Sequence, residues 1–223
     1  MWNARNVVWQ TRRDGHTIVV KTFCGSILSS IIYIFRKSKA HRSYEHAVEL
    51  LRRGIPTPQP LGFVEERGLF NILSLSCYAS ASTSYEPLSD VMERDYKPVL
   101  AAFAQFVASL HSAGVRHDDL NCSNVRVGRD RDGNFVFCLI DLNRMKILPP
   151  GKRLSRKEAY INAGRFTYDH DKFRYFASEY VRAAGLPQKC VYDMVKTKED
   201  FERVFWRRKK VLHAIRDFFL FRR

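Results

Sequence analysis

The stretches His117-Asp118-Asp119-Leu120-Asn121-Cys122-Ser123-Asn124 and Leu139-Ile140-Asp141-Leu142-Asn143-Arg144 bring together residue types that can move a phosphoryl group. The first reads H-x-D-L-x-x-x-N; the second places a carboxylate at the end of an apolar run. Such a transfer needs a carboxylate to receive the acceptor hydroxyl's proton, the role open to Asp119. It also needs hard oxygen ligands for Mg²⁺, which Asn124 and Asp141 offer as one neutral and one charged group. Taken singly, Asp119 and Asn124 also suit a turn or a helix cap, and Asp141 the end of a strand. At this spacing, behind His117, the three point to chemistry, with His117 bracing the loop rather than carrying protons.

Elements on either side can bring these groups together. Val125-Arg126-Val127 and residues 135–140 are β-prone runs around Asp132-Gly133-Asn134, strong turn chemistry that predicts a hairpin ending at Asp141. Upstream, Val99, Phe103, Phe106, Val107 and Leu110 predict an amphipathic helix stopped by Gly114, which feeds the chain into the loop. Residues 5–11 and 17–23 predict a first hairpin, with Lys21 on its second strand, and residues 61–64 and 69–75 a second one. Lys21 suits contact with nucleotide phosphates; an ordinary exposed strand lysine is the alternative. Tyr44, Ala47, Val48 and Leu51 recur at helical spacing before Gly54 and Pro56, and this helix carries Glu45 and Glu49. Glu45 is expected to pair with Lys21, with Glu49, one turn on, as the other choice.

Residues 76–84, rich in Ser, Ala and Thr, suit a hinge and the rim of a nucleotide pocket. The chain from Pro149 on reads as helical, with a stripe of Phe173, Phe176, Ala177, Tyr180 and Val181 ended by Gly185-Leu186-Pro187. A last helix is expected after Thr197 from Phe201, Val204, Phe205, Leu212, Ile215, Phe218 and Phe219. The expected class is α+β: a two-lobed, single domain with a β-rich N-lobe at 1–78, a hinge at 79–86 and a mainly helical C-lobe at 87–223.

At 223 residues and 45% hydrophobic, the chain can bury a substantial core. Five cysteines without a C-x-x-C pair argue for reduced thiols and a cytoplasmic setting. Met1-Trp2-Asn3-Ala4-Arg5 does not read as a signal peptide, and the longest apolar run, 25–35, is too short to span a bilayer. A formal charge of +15 asks for an anionic partner. No aromatic-basic recognition motif accompanies it, so nucleic acid is not expected.

Val19-Val20-Lys21, Arg42-Ser43-Tyr44-Glu45, Gly54-Ile55-Pro56-Thr57-Pro58-Gln59-Pro60-Leu61, His117-Asp118-Asp119-Leu120-Asn121, Asn124-Val125 and Ile140-Asp141-Leu142-Asn143-Arg144 together resemble the lipopolysaccharide kinase family. The similarity runs from about Val7 to Met145, and its most specific parts are the Gly-x-Pro-x-Pro-x-Pro connector and the Asp-x-Asn-Arg ending. The resemblance implies a protein-kinase-like fold that uses ATP and Mg²⁺ on Kdo (3-deoxy-D-manno-octulosonic acid) or heptose of the lipopolysaccharide inner core. It also implies catalytic roles for Asp119 as base, Lys21 on phosphates and Glu45 as its partner, with Asn124 and Asp141 on metal and nucleotide. Arg144 would meet a substrate phosphate or carboxylate, or pair with a nearby acid. Two departures stand out: no G-x-G-x-x-G precedes Lys21, and Asp-Leu-Asn replaces Asp-Phe-Gly at 141–143.

The expected activity is ATP-dependent phosphorylation of a core sugar, most simply Kdo. The alternatives are a kinase of another acceptor, protein or small aminosugar, and a non-catalytic pseudokinase that binds membrane or partner proteins. A lipid-linked substrate would account for apolar segments beside cations. Ile27, Leu28, Ile31, Ile32, Ile34 and Phe35 precede Arg36-Lys37-Ser38-Lys39, and Arg207-Arg208-Lys209-Lys210 precedes Phe218-Phe219-Leu220-Phe221. Both suit a peripheral contact with the anionic cytoplasmic face of the inner membrane, or core-packing helices with a solvated basic face.

Overall fold

The structure, a computed structural model, describes residues 6–24 and 33–220, with side chains described as far as 212. Strands β1 (Asn6–Arg13) and β2 (His16–Phe23) pair antiparallel around a two-residue turn. Asp14 and Gly15 both take positive φ, 51° and 78°, the primed-turn geometry whose twist matches the flanking strands. Helix α1 (Lys39–Arg52) follows, then β3 (Pro60–Arg67) and β4 (Leu73–Ala81). The four strands form one antiparallel sheet in the order β1-β2-β4-β3.

Ser38 caps α1 by accepting from the His41 amide at 3.0 Å, and Gly54, at φ 71°, lets the chain leave it. The helix buries Ala40, Ser43, Ala47 and Leu50, whereas Val48 and Leu51 are exposed. The expected stripe through Tyr44, Ala47, Val48 and Leu51 is therefore rotated by roughly 70° about the helix axis. Small side chains are the reason: Ala40, Ser43 and Ala47 let the helix lie close to the sheet, and bulk on that face would hold it off.

The expected hinge composition at 76–81 is strand, because β4 runs through to Ala81 and pairs with β2 as far as Ile18↔Ala81. Beyond it, β5 (Glu86–Pro87) joins β7 (Val125–Arg129) and β8 (Phe135–Leu139) in a second sheet, ordered β5-β7-β8. Here β6 denotes Val115–His117 and β9 Met145–Ile147. Tyr85 lies flat on Gly128 of β7, where an added Cβ would come within 2.4 Å of the ring. Asp130 closes the β7–β8 turn by accepting from the Asn134 amide at 2.8 Å. Helix α2 (Leu88–Arg94) completes this part.

Compact units do not follow chain order. One contains the chain to Arg94 together with His117–Ile147; the other contains Asp95–Arg116 and everything from Leu148. The second unit is helical, built from α3 (Tyr96–Ser112), α4 (Arg156–Ala163), α5 (His170–Ala183) and α6 (Cys190–Leu220). Its core is aromatic, with Phe103 and Phe173 each packed on both Phe166 and Phe176, all four almost fully buried. The stripe expected on α5 is the buried one. The last helix starts at Cys190, not after Thr197, whose hydroxyl instead bonds back to the Asp193 carbonyl at 2.7 Å inside the helix. Buried Cys190 and Met194 extend its apolar face upstream.

Candidate active site

Histidine 117 ties the loop to the strand that ends in Asp141. Its Nδ1 accepts from the Asp119 amide at 3.2 Å, so Nε2 carries the hydrogen and donates to the Ile140 carbonyl at 2.9 Å. Burial lowers the imidazole pKa and keeps this neutral tautomer. Asn121 shapes the next turn by accepting from the Ser123 and Asn124 amides at 3.0 and 3.1 Å. Asn124 then donates through Nδ2 to the Asp119 carbonyl at 2.9 Å, which leaves its amide oxygen for another partner.

Asp141 adopts a left-handed backbone, φ 59° and ψ 54°, an arrangement that costs a non-glycine residue on the order of 1 kcal/mol. Its surroundings hold it there. The Lys21 ammonium lies 2.6 Å from Oδ1, and the Asn143 amide donates to the same carboxylate. From the connector, Pro56 accepts from the Leu139 amide at 3.0 Å, and the Thr57 hydroxyl donates to the Leu139 carbonyl at 2.8 Å. The Pro-rich connector is thus a clamp on β8, two residues before Asp141. His46 of α1 donates through Nδ1 to the Leu142 carbonyl at 2.7 Å. Burial pulls its pKa down as well.

Lys21, Asn124 and Asp141 line one cleft of about 380 Å³, within the range of small-molecule sites. Val8, Val19 and Tyr78 supply apolar walls, and residues 80–83 form a rim. Asp119 stands next to this set through Asn124. Its carboxylate is 39% exposed, receives the Asn121 amide at 3.3 Å and faces Arg144 at 3.9 Å.

The pairing expected of Glu45 is not found. Its carboxylate meets Lys37 at 2.5 Å and His41 at 3.4 Å, and these partners hold its pKa low against the opposing effect of burial. Glu49 is bonded to Arg52 and Arg53, which bring its pKa down to about 2. Both glutamates have cationic neighbours on or next to their own helix, at shorter range than Lys21, whose ammonium is held by Asp141. The helix reaches the site through His46 instead. Sequence reasoning missed His46 and Thr57: the helical spacing from Arg42 hinted at the first, and the connector motif at the second.

Among the described residues no group of three His, Cys, Asp or Glu side chains could hold a metal. One carboxylate and one amide oxygen beside a lysine suit Mg²⁺, which keeps waters and phosphate oxygens in its own shell. The donor set fits a magnesium nucleotide, which Asn124 and Asp141 could hold by their oxygens with Lys21 beside its phosphates.

No curated protein matches this chain. A solved structure described as WaaP in complex with acyl carrier protein superposes with a TM-score of 0.62 at 15% identity, covering 91% of this chain and 85% of that one. At that identity the likeness establishes the fold, kinase-like with a small antiparallel β region and a helical C-terminal part. The sequence model of the lipopolysaccharide kinase (Kdo/WaaP) family matches residues 3–159, well over half the chain. With the catalytic-loop geometry above, that match makes this chain a member of the lipopolysaccharide kinase (Kdo/WaaP) family.

Proposed function

We propose that the chain is an ATP-dependent kinase that phosphorylates a sugar hydroxyl of the lipopolysaccharide inner core, with Kdo as acceptor. The observation that carries this reading is the Lys21–Asp141 contact of 2.6 Å, in a cleft that Asn124 also lines. Asn124 and Asp141 would hold Mg²⁺ by their oxygens, and Lys21 would offset charge on the nucleotide phosphates. Asp119 takes the proton of the attacking hydroxyl as the new O–P bond forms and the bond to the departing ADP breaks. Bound MgATP supplies the phosphoryl group. Without a glycine-rich loop, phosphate binding rests on side chains rather than on a backbone cradle.

A lipid-linked acceptor is consistent with helix α6. Past Phe201 its apolar side chains leave the core: Val204, Phe205, Trp206, Val211 and Leu212 are all exposed beside Arg207-Arg208-Lys209-Lys210. This combination suits a peripheral contact with an anionic bilayer surface. Among the described residues no helix is long and apolar enough to cross a membrane. Of the other expected anchor, residues 27–32 lie outside the described residues, while Phe35 is almost fully exposed.

The test is phosphate transfer from MgATP to Kdo-lipid A by the wild-type protein and by Asp119→Ala. Transfer that disappears in the variant supports the reading. Nucleotide binding without transfer would redirect it to another acceptor, and absence of nucleotide binding to a pseudokinase. Sedimentation with anionic vesicles, weakened by salt, tests the membrane contact; equal binding to neutral vesicles would refute it.

A further inference from the structure

Beside the candidate nucleotide groups stands a second set of cations that phosphoryl transfer itself does not require. Lys39 opens helix α1, Arg42 follows one turn later, and Arg144 sits three residues after Asp141. Lys39 and Lys21 lie against the same Phe23 ring, at 6.0 and 5.3 Å from its centre. Lys21 reaches Asp141 across that ring, whereas among the described residues no carboxylate lies within ion-pair distance of Lys39 or Arg42. Arg42 has a bond from Nε to the Ser38 carbonyl at 3.4 Å. Arg144 approaches the Asp119 carboxylate at 3.9 Å, too far for a hydrogen bond, and 64% of its side chain is exposed.

The cost of this arrangement is visible at Lys39. Partial burial lowers its pKa, and repulsion from Arg144, Arg42 and Lys21 lowers it further, opposed by the attraction of Asp141. Lys39 and Arg42, held together with no carboxylate at ion-pair distance among the described residues, are an arrangement that an oxyanion relieves. Its position tells which oxyanion. Lys21 and Asp141 face the cleft, but Arg144 faces the candidate base, so a group that reaches Arg144 lies next to the hydroxyl being deprotonated.

Resting on the kinase reading above, we propose that Lys39, Arg42 and Arg144 form an oxyanion site for an acidic substituent of the acceptor sugar, a carboxylate or a phosphate monoester. The site selects acidic sugars over neutral ones and orients the hydroxyl towards Asp119. Arg42, with its planar fork, is the principal contact; Lys39 and Arg144 add charge on either side.

Two measurements on the full chain test this. In the first, inorganic phosphate is titrated into the wild-type protein and into Lys39→Met and Arg42→Gln, followed by calorimetry. Millimolar binding that both variants weaken is expected; no phosphate binding by the wild type overturns the site even if no transfer reaction is ever found. The second compares KM values with Kdo-lipid A and with its carboxyl methyl ester. Each variant should raise the KM for the acid about tenfold, leave that for the ester almost unchanged and spare the KM for ATP. A raised KM for ATP with an unaltered acceptor KM would assign these cations to the nucleotide instead. Arg42→Lys, which keeps the charge but loses the fork, should recover part of the acid's affinity, and a loss as large as in Arg42→Gln would mean that the fork matters and the charge does not.

Discussion

Two lysine–carboxylate pairs of the same chemistry serve opposite ends in the two units. In the helical unit Lys198 is fully buried, donating to the Gly164 carbonyl at 3.1 Å, to the Thr167 carbonyl at 2.6 Å and to Glu202. All three ammonium hydrogens are used, and the rings of Tyr168 and Phe173 lie beside them. In the β-rich unit Lys21 meets Asp141 at 2.6 Å on the wall of an open cleft, with both groups about one-fifth exposed. No backbone carbonyl completes its shell among the described residues. The Lys198 ammonium is saturated by its own protein, whereas that of Lys21 is left with donors to spare, as the proposed phosphate contact requires.

The sharpest way to break the contrast is to neutralise one member of each pair. Asp141→Asn should reduce phosphate transfer by about 10³-fold, roughly 4 kcal/mol in the barrier, while the melting temperature stays near that of the wild type. A large loss of stability with transfer intact would show that the Lys21–Asp141 pair is structural after all. Lys198→Met should do the reverse, costing about 3 kcal/mol of unfolding free energy by leaving two carbonyls without this donor and Glu202 with His170 alone. Denaturant unfolding reads this, and nucleotide affinity of the folded fraction should not change.

A comparable sensitivity comes from His111 in the helical unit, which bonds Tyr180 at 2.9 Å and Asn162 at 3.0 Å and is almost entirely buried. Burial depresses its pKa from 6.5 to about 4, so between these values the unfolded chain binds the proton and the folded one does not. Stability is complete above pH 6.5 and falls as the pH drops towards 4, by up to about 3 kcal/mol. Melting curves across this window should flatten in His111→Gln; an unchanged slope would place the acid sensitivity elsewhere, with His46 and His117 the next groups to test. The smallest effect is expected at the connector. Thr57→Val removes the hydroxyl from the Leu139 carbonyl and should cost about 1 kcal/mol, with a modest rise in the KM for ATP as β8 loosens.

How much of this was legible depended on range. The β1–β2 and β7–β8 hairpins, the α5 stripe and the grouping of Asn124 with Asp141 follow from local alternation, turn chemistry and a motif whose spacing is short; Lys21, 120 residues from Asp141, was placed by its likeness to the kinase pattern. The partner of Lys21 was misassigned, because a glutamate on the following helix is a reasonable guess until Lys37 is seen beside it. The buried face of α1 was misread for a related reason. Periodicity favours the largest apolar residues, but that helix packs by its smallest ones.

By itself the amino-acid sequence determined the main hairpins and helices, the catalytic-loop pattern and the family, since each is written in contiguous residues or short spacings. Tertiary structure alone decided that His46 rather than a glutamate ties α1 to the Asp141 turn, that Thr57 clamps β8, and that Arg144 faces Asp119. The first two relations join residues 96 and 82 positions apart, where no local propensity acts and only packing sets the distance.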